Sequence, residues 1–257
     1  MLLVADIGNT NITLGIFDKE SLIETYRLAS DKDLSQHEYE ILLKTLLKDF
    51  DIKSCIIGSV VEELSLVLKS ACDNVLSINS LLVNPIEEFG MKICLKNPKE
   101  IGADRIANAL GAKKKYPLPL IVVDIGTATT FDIVSKNGEF IGGVIMPGLN
   151  LQFKALNKNT SKLPRINAGV SEKAIGDSTE NALLSGIMRG SACAIEGLIN
   201  QCELELGEKA TIIATGGHSR LISEYMLRQF DYVDSNLTLE GLKYIFELNK
   251  QKNVVAK

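Results

Sequence analysis

The stretch VVDIGTATTFDIVS, residues 122–135, repeats in outline an earlier one, VADIGNTNITLGIFD, residues 4–18. In each, an apolar run of strand length ends in Asp-Ile-Gly. A hydroxyl-rich turn too short for a helix follows, and the chain resumes as a second apolar run. That pattern predicts a β-hairpin rather than a strand–helix–strand unit. A single Asp-Ile-Gly turn reads as an aspartate bonding its own hairpin. Two copies, with Asp6 and Asp124 at matching positions, point to a duplicated domain whose turns bind phosphate. Glycine lets the backbone approach a bulky anion, and the turn's N–H groups and hydroxyls can meet phosphate oxygens. The carboxylate reaches phosphate only through a cation such as Mg²⁺, which keeps several waters as bridges.

Outward from the first hairpin, SLIETYRLAS reads as a third strand. The helix after it carries Tyr39, Leu42, Leu43, Leu46, Leu47 and Phe50 on one face, with Ser35 and Glu38 spaced as a capping box. KSCIIGSVV is a buried strand, EELSLVLKSAC a helix and NVLSI a parallel strand; GMKICL is extended and leads to a helix over 104–115. The second half starts over. LPLIVVDIG and TTFDIVS form the hairpin, Asn137-Gly138 marks a turn, and EFIGGVIMPG is the third strand. A helix over 149–156, a polar loop over 157–176 and a long helix over 178–202 follow. ATIIATGG is a strand ending in a glycine turn, and helices close the chain. The expected division is 1–116 and 117–257, at Tyr116-Pro117-Leu118-Pro119.

Composition narrows the function. With 46% hydrophobic and 23% charged residues, 257 residues can bury a core for one large or two ordinary domains. A net charge of −4 argues against nucleic acid as a partner, and the short run Lys113-Lys114-Lys115 suits a helix C-terminus. The five cysteines have no paired metal-ligand spacing, and only His37 and His218 could join them at zinc. No uninterrupted apolar run approaches the ~20 residues that span a bilayer, and the first residues enter a strand directly. The expectation is a cytoplasmic protein with reduced thiols and no membrane partner.

A third glycine turn, Ala214-Thr215-Gly216-Gly217-His218, follows the strand TIIA and suits the adenosine side of a nucleotide site. Together the three turns resemble the actin-like ATPase and sugar kinase superfamily. Its members are α/β proteins of two duplicated actin-like (ribonuclease H-like) domains with an interdomain nucleotide cleft. Five motifs in order narrow the resemblance: DIGNTN at 6–11, GADR at 102–105, DIGTATTFDIV at 124–134, GGVIMPG at 142–148 and GDSTENALLSG at 176–186. In this order they are similar to the type III pantothenate kinases, which catalyse the first step of coenzyme A synthesis. The resemblance covers the chain to at least Gly217.

The resemblance, residue by residue, implies the following roles. Asp104 is the general base, although the residues alone read it as a helix N-cap. Gly102, Ala103, Asp104 and Arg105 contact pantothenate, the Arg105 guanidinium fork suiting the substrate's carboxylate. Asp6, Ile7, Gly8, Asn9, Thr10, Asn11, Ile12 and Thr13 form the first ATP loop, with Asp6 on the Mg²⁺ side, through water. Thr127 in the second loop and Gly216 and Gly217 at the third turn also bind ATP. Asp124 serves a monovalent cation, K⁺ or NH₄⁺. Thr179 touches pantothenate across a homodimer interface. Leu95 stands where the family often has an aromatic residue, typically Tyr, keeping an apolar wall but not a phenolic hydrogen bond. A nucleotide-dependent regulatory accessory protein of the same fold is the alternative, and intact Asp104 and Arg105 weigh against it.

Overall fold

In the computed structural model the described residues are 1–84 and 90–255, with side chains as far as Gln251. The chain forms two compact units. The first comprises Met1–Met91, Lys96–Gly111 and Asn236–Lys257; the second comprises Lys92–Leu95 and Ala112–Ser235.

Each unit is built on a five-stranded sheet, and the two sheets repeat one plan. In the first unit β1 (Leu2–Ile7) pairs antiparallel with β2 (Asn11–Asp18), and β2 with β3 (Ser21–Ala29). On its other side β1 runs parallel to β4 (Ser54–Ser59), and β4 to the two-residue β5 (Leu81–Leu82), giving the order β3-β2-β1-β4-β5. The second sheet contains β6 (Leu120–Ile125), β7 (Ala128–Val134), β8 (Phe140–Pro147), β9 (Thr211–Thr215) and β10 (Tyr232–Val233). Its order, β10-β9-β6-β7-β8, is the same plan read from the other edge. The repetition extends to irregularities. The first ladder slips at Ile16/Phe17 and the second at Ile133/Val134, at equivalent places in the outer hairpins. Bulges of this kind are retained features that bend and twist an edge rather than accidents of pairing.

The helices follow local rules with two departures from the expectations above. Helix α1 (Gln36–Leu47) opens with the full capping box of Ser35 and Glu38 and buries Tyr39, Leu43 and Leu47, but Leu42 faces solvent. Helix α2 (Glu62–Leu76) absorbs most of the expected strand NVLSI. Leu64, Leu68, Ala71 and Cys72 keep a helical burial period, and Ser77 ends the helix in the left-handed conformation (φ 54°). The strand that follows is β5, at Leu81–Leu82. The extended piece after Gly90 does form. Ile93 bridges Phe140, and the Cys94 N–H donates to the Phe140 carbonyl, at the start of β8.

Helix α3 (Ala103–Lys115) is carried against the first sheet by α7 (Leu237–Val255). A β-carbon on Gly241 would run into the Ala107 backbone, and one on Gly111 would stand 3.1 Å from the Gly241 Cα. The two helices therefore cross with no side chain between them. Buried Asn108 accepts a hydrogen bond from Thr238 Oγ1 at 2.7 Å beside this crossing. On its sheet face α7 presses Leu239 against Gly15 and Leu242 against Gly58. The chain from Asn236 thus belongs with the first unit and not, as a single cut at 116/117 would have it, with the second.

In the second unit α4 (Leu149–Asn159), α5 (Thr179–Leu206) and α6 (Ser219–Ser223) surround the sheet. Helix α5 is long and apolar enough to cross a membrane by length and composition. Its Ile187, Met188, Ala192, Ile195 and Ile199 lie in the core with Ile121, Val123 and Phe131 of the sheet. At its C-terminal end the buried Glu203 carboxylate takes two 2.7 Å bonds from the Arg228 guanidinium and one from Lys209. The Arg228 bonds hold that carboxyl down at about 2.

Candidate active site

The two Asp-Ile-Gly turns occupy equivalent places but differ in length. Asp6 and Asp124 are each the fifth residue of a central strand; Asp6 pairs across the hairpin with Thr13, and Asp124 with Thr130. Between the last paired residues the first turn holds Gly8 to Asn11, closed by Gly8 N–H to the Asn11 carbonyl at 3.0 Å. The second holds only Gly126 to Ala128, closed by Gly126 N–H to the Ala128 carbonyl, also at 3.0 Å. Asn9, Thr10 and Thr127 are exposed, placing polar groups outward, whereas Ile7 and Ile12 are fully buried. These two isoleucines can offer a nucleotide only their backbone. Asn11 and Thr13 are half-buried at the start of β2.

Sequence reasoning did not single out Ser30, which braces the first turn. Its Oγ donates to the Gly8 carbonyl at 2.5 Å and its N–H to the Thr10 carbonyl at 3.0 Å. Its only signal was its place one residue beyond β3, next to the register pair Asn11 and Ala29. Val60 is a second addition. Its N–H donates to the Ile7 carbonyl at 3.1 Å, and its Cγ1 lies 3.1 Å from the place a Gly102 β-carbon would occupy. Val60 thus joins the first turn to the GADR segment within one unit. It also lines a cleft of about 350 Å³ with Asn9, Lys32, Val61, Glu63 and Leu66. That volume is in the range of small-ligand sites.

Asp104 lies in the first turn of α3 rather than at its cap: the helix starts at Ala103, and the Gly102 carbonyl accepts the Ile106 N–H at 3.2 Å. Its side chain still does part of a cap's work, because Oδ1 accepts the Arg105 backbone N–H at 2.8 Å. A β-carbon on Gly102 would collide with that same Oδ1. Some of the side chain reaches solvent, yet the dense protein around it raises the Asp104 carboxyl above the ordinary carboxylate value. The Arg105 N–H and the Arg105 charge pull the other way without cancelling that effect. Arg105 is half-buried in the same turn, and Ala103 points into the core.

In the second unit Gly216 (φ 86°) closes β9. A β-carbon there would strike Asp124 Oδ1 and the Ile125 backbone, so the third turn lies directly on the second. The His218 N–H donates to the Ile125 carbonyl at 3.1 Å, and the Gly148 N–H to the Thr127 carbonyl at 3.2 Å. Asp124, Thr127 and Gly216 are thereby brought together, with Gly217 exposed beside them. Gly126 and Gly216 both pack against the Asp124 carboxylate: a β-carbon on Gly126 would stand 3.6 Å from Oδ1, and one on Gly216 would collide with it. Thr179 begins α5, exposed, behind the cap Ser178, whose Oγ accepts the Asn181 N–H at 3.1 Å. Leu95 is half-buried at the end of the Lys92–Leu95 piece of the second unit.

Paired strand–turn–strand devices on duplicated five-stranded sheets define an actin-like fold. MreB 5 of Spiroplasma citri bound to AMPPNP shares this fold at TM-score 0.55 and 15% identity, covering 99% of this chain and 98% of that one. A Campylobacter jejuni protein described as a Baf family transcriptional activator shares it at TM-score 0.63 and 24% identity, covering 97% and 99%. The family profile for type III pantothenate kinase matches residues 2–201. A type III pantothenate kinase of Exiguobacterium sp. is 39% identical over 256 residues, 98% of this chain and 100% of the relative. The chain belongs to the type III pantothenate kinase family.

Proposed function

We propose that the protein transfers the γ-phosphoryl group of ATP to the primary hydroxyl of pantothenate, giving 4′-phosphopantothenate and ADP. The observation that carries the residue-level reading is the Gly102–Asp104 arrangement. A carboxylate held in one orientation, with its affinity for a proton raised by burial, stands beside Val60 of the cleft that reaches Asn9. A raised carboxylate is the better proton acceptor at neutral pH. In this reading Asp104 takes the proton of the attacking hydroxyl as its oxygen bonds to the γ-phosphorus and the bond to the β,γ-bridging oxygen breaks. The remaining catalysis is positioning and charge neutralisation. Arg105 holds the pantothenate carboxylate, and Leu95 supplies an apolar wall.

The two turns hold the triphosphate through Gly8–Thr10 and Thr127, with Gly216-Gly217 on the adenosine side. Among the described residues there is no group of three His, Cys, Asp or Glu able to hold a metal. In this reading Mg²⁺ is carried on the ATP phosphates and bridged by water to Asp6, the fifth residue of β1 beside the first turn. Asp124, a carboxylate held against the glycines of the second and third turns, serves a monovalent cation, K⁺ or NH₄⁺, in this reading. In this reading the protein is a homodimer in which Thr179, exposed at the start of α5, completes the partner's pantothenate site. Five free cysteines favour a reducing, cytoplasmic setting.

The test is direct. Purified protein with ATP, Mg²⁺, K⁺ and pantothenate should yield 4′-phosphopantothenate by mass spectrometry. Phosphorylation of a different alcohol with none of pantothenate would overturn the substrate.

A further inference from the structure

The segment between α4 and α5, residues 160–178, has no helix or strand of its own, yet its last ten residues are tied down at four points. Arg189 on α5 donates through Nη2 to the Ser171 carbonyl at 2.8 Å and the Glu172 carbonyl at 3.4 Å. Its guanidinium lies over the Tyr225 ring, 5.3 Å from the centroid. The Tyr225 hydroxyl oxygen accepts the Ser171 N–H at 2.5 Å, and the hydroxyl donates to the Gly169 carbonyl at 3.5 Å. Ser185 Oγ donates to the Ala174 carbonyl at 2.6 Å. Gly176 lies so close to α5 that a β-carbon would collide with the Ala182 backbone. Asn181 Nδ2 then holds Asp177 Oδ1 at 2.7 Å.

An irregular exposed segment would ordinarily sample many conformations, and ordering it costs backbone entropy. Here buried Ser171 is gripped on both backbone faces, its carbonyl by Arg189 and its N–H by Tyr225. Both gripping residues issue from elements rooted in the core: Arg189 follows the fully buried Met188, and Tyr225 follows α6, whose Ile222 is buried. The segment ends at Ser178 and Thr179.

We propose that Arg189 and Tyr225 are positioning residues for pantothenate: their clasp on Ser171 fixes the segment that delivers Thr179 to the substrate. The proposal rests on the reading of Thr179 given above. Binding is then helped because the ordering cost is met before the substrate arrives.

Steady-state kinetics of the full-length enzyme test it, with hydrogen exchange of residues 169–178. Arg189→Gln should raise the pantothenate KM about tenfold while leaving kcat and the ATP KM within about twofold, the pattern of lost substrate binding. Tyr225→Phe keeps the ring under the cation but loses the Ser171 bond, and should raise the same KM about threefold. Both should speed exchange of the Ser171–Asp177 amides. Arg189→Lys, which keeps a cation over the ring but not the two-carbonyl reach, should fall between wild type and Arg189→Gln and serves if the glutamine variant folds poorly. Faster exchange with an unchanged pantothenate KM, or equal losses toward both substrates, would overturn the clasp. Thr179→Val separates the premises. If it raises the pantothenate KM while the Arg189 variants do not, the clasp alone is wrong; if it has no effect, the Thr179 reading fails and takes the clasp with it.

Discussion

Asp104 holds its Oδ1 in space that Gly102 leaves open, and no other residue type at 102 could leave it open. The carboxylate's direction is therefore set two residues upstream, by the absence of a side chain. Gly102→Ala should misdirect the proposed base and lower kcat by about 10²-fold, as misplacement of a reacting group by about an ångström does. The thermal midpoint should fall by only a few degrees. Single-turnover kinetics beside a melting curve would check this, and unchanged turnover would refute it.

Asp104→Asn should lower kcat by about 10²–10⁴, the usual share of a general base. The variant should melt at or above the wild-type temperature. The sign follows from linkage: because burial raises the folded-state pKa of this acid, stability falls as pH rises from the unfolded value through the folded one. At neutral pH the ionised Asp104 is a cost, which asparagine removes. The same raised pKa predicts that wild-type activity is lost on acidification at a pH above the ordinary carboxylate range.

Glu203 is the opposite case. Its carboxyl, held down at about 2 by Arg228, contributes stability above the unfolded value of 4.5, and that contribution fades as pH falls from there toward 2. Glu203 is buried while Arg228 is about one-third exposed and can be partly solvated, so losing these charge-assisted bonds in Glu203→Gln should cost on the order of 2 kcal/mol at neutral pH. Urea unfolding at pH 7 and at pH 3 should show the gap shrinking with acid. The KM values below the melting range should stay unchanged.

Gly216→Ala would force a β-carbon against Asp124 Oδ1 at a left-handed φ of 86°. The proposed cation site and the ATP site share this contact. Dependence on K⁺ should shift to higher concentration together with the ATP KM, while the pantothenate KM stays within about twofold. A K⁺ titration at fixed pantothenate measures it.

The hairpins were legible because alternation and the Asp-Ile-Gly turns are local signals, and so was the Ser35–Glu38 box. The short β10 was missed because two residues carry no period, and NVLSI was misread because α2 keeps burying one face through Cys72 before Ser77 ends it. The placement of α7 was invisible for a different reason. Its partners Gly15 and Gly58 lie far back in the chain, and nothing around Leu239 or Leu242 indicates which sheet they cover. At the site, composition and spacing alone left Asp104 a helix cap. Its orientation by Gly102 and the bracing of the first turn by Ser30 are tertiary facts with no local period.

Helix α7 also sets an order of events during synthesis. The floor it covers, at Gly15 on β2 and Gly58 on β4, and the helix α3 that it seats all leave the ribosome before α7 does. The sheet holding the first Asp-Ile-Gly turn must therefore wait, with Leu14, Ile16 and Ile57 already collected, until the other unit has been translated in full. A nascent chain halted before Leu237 would display that uncovered floor, a surface suited to chaperone capture rather than to catalysis.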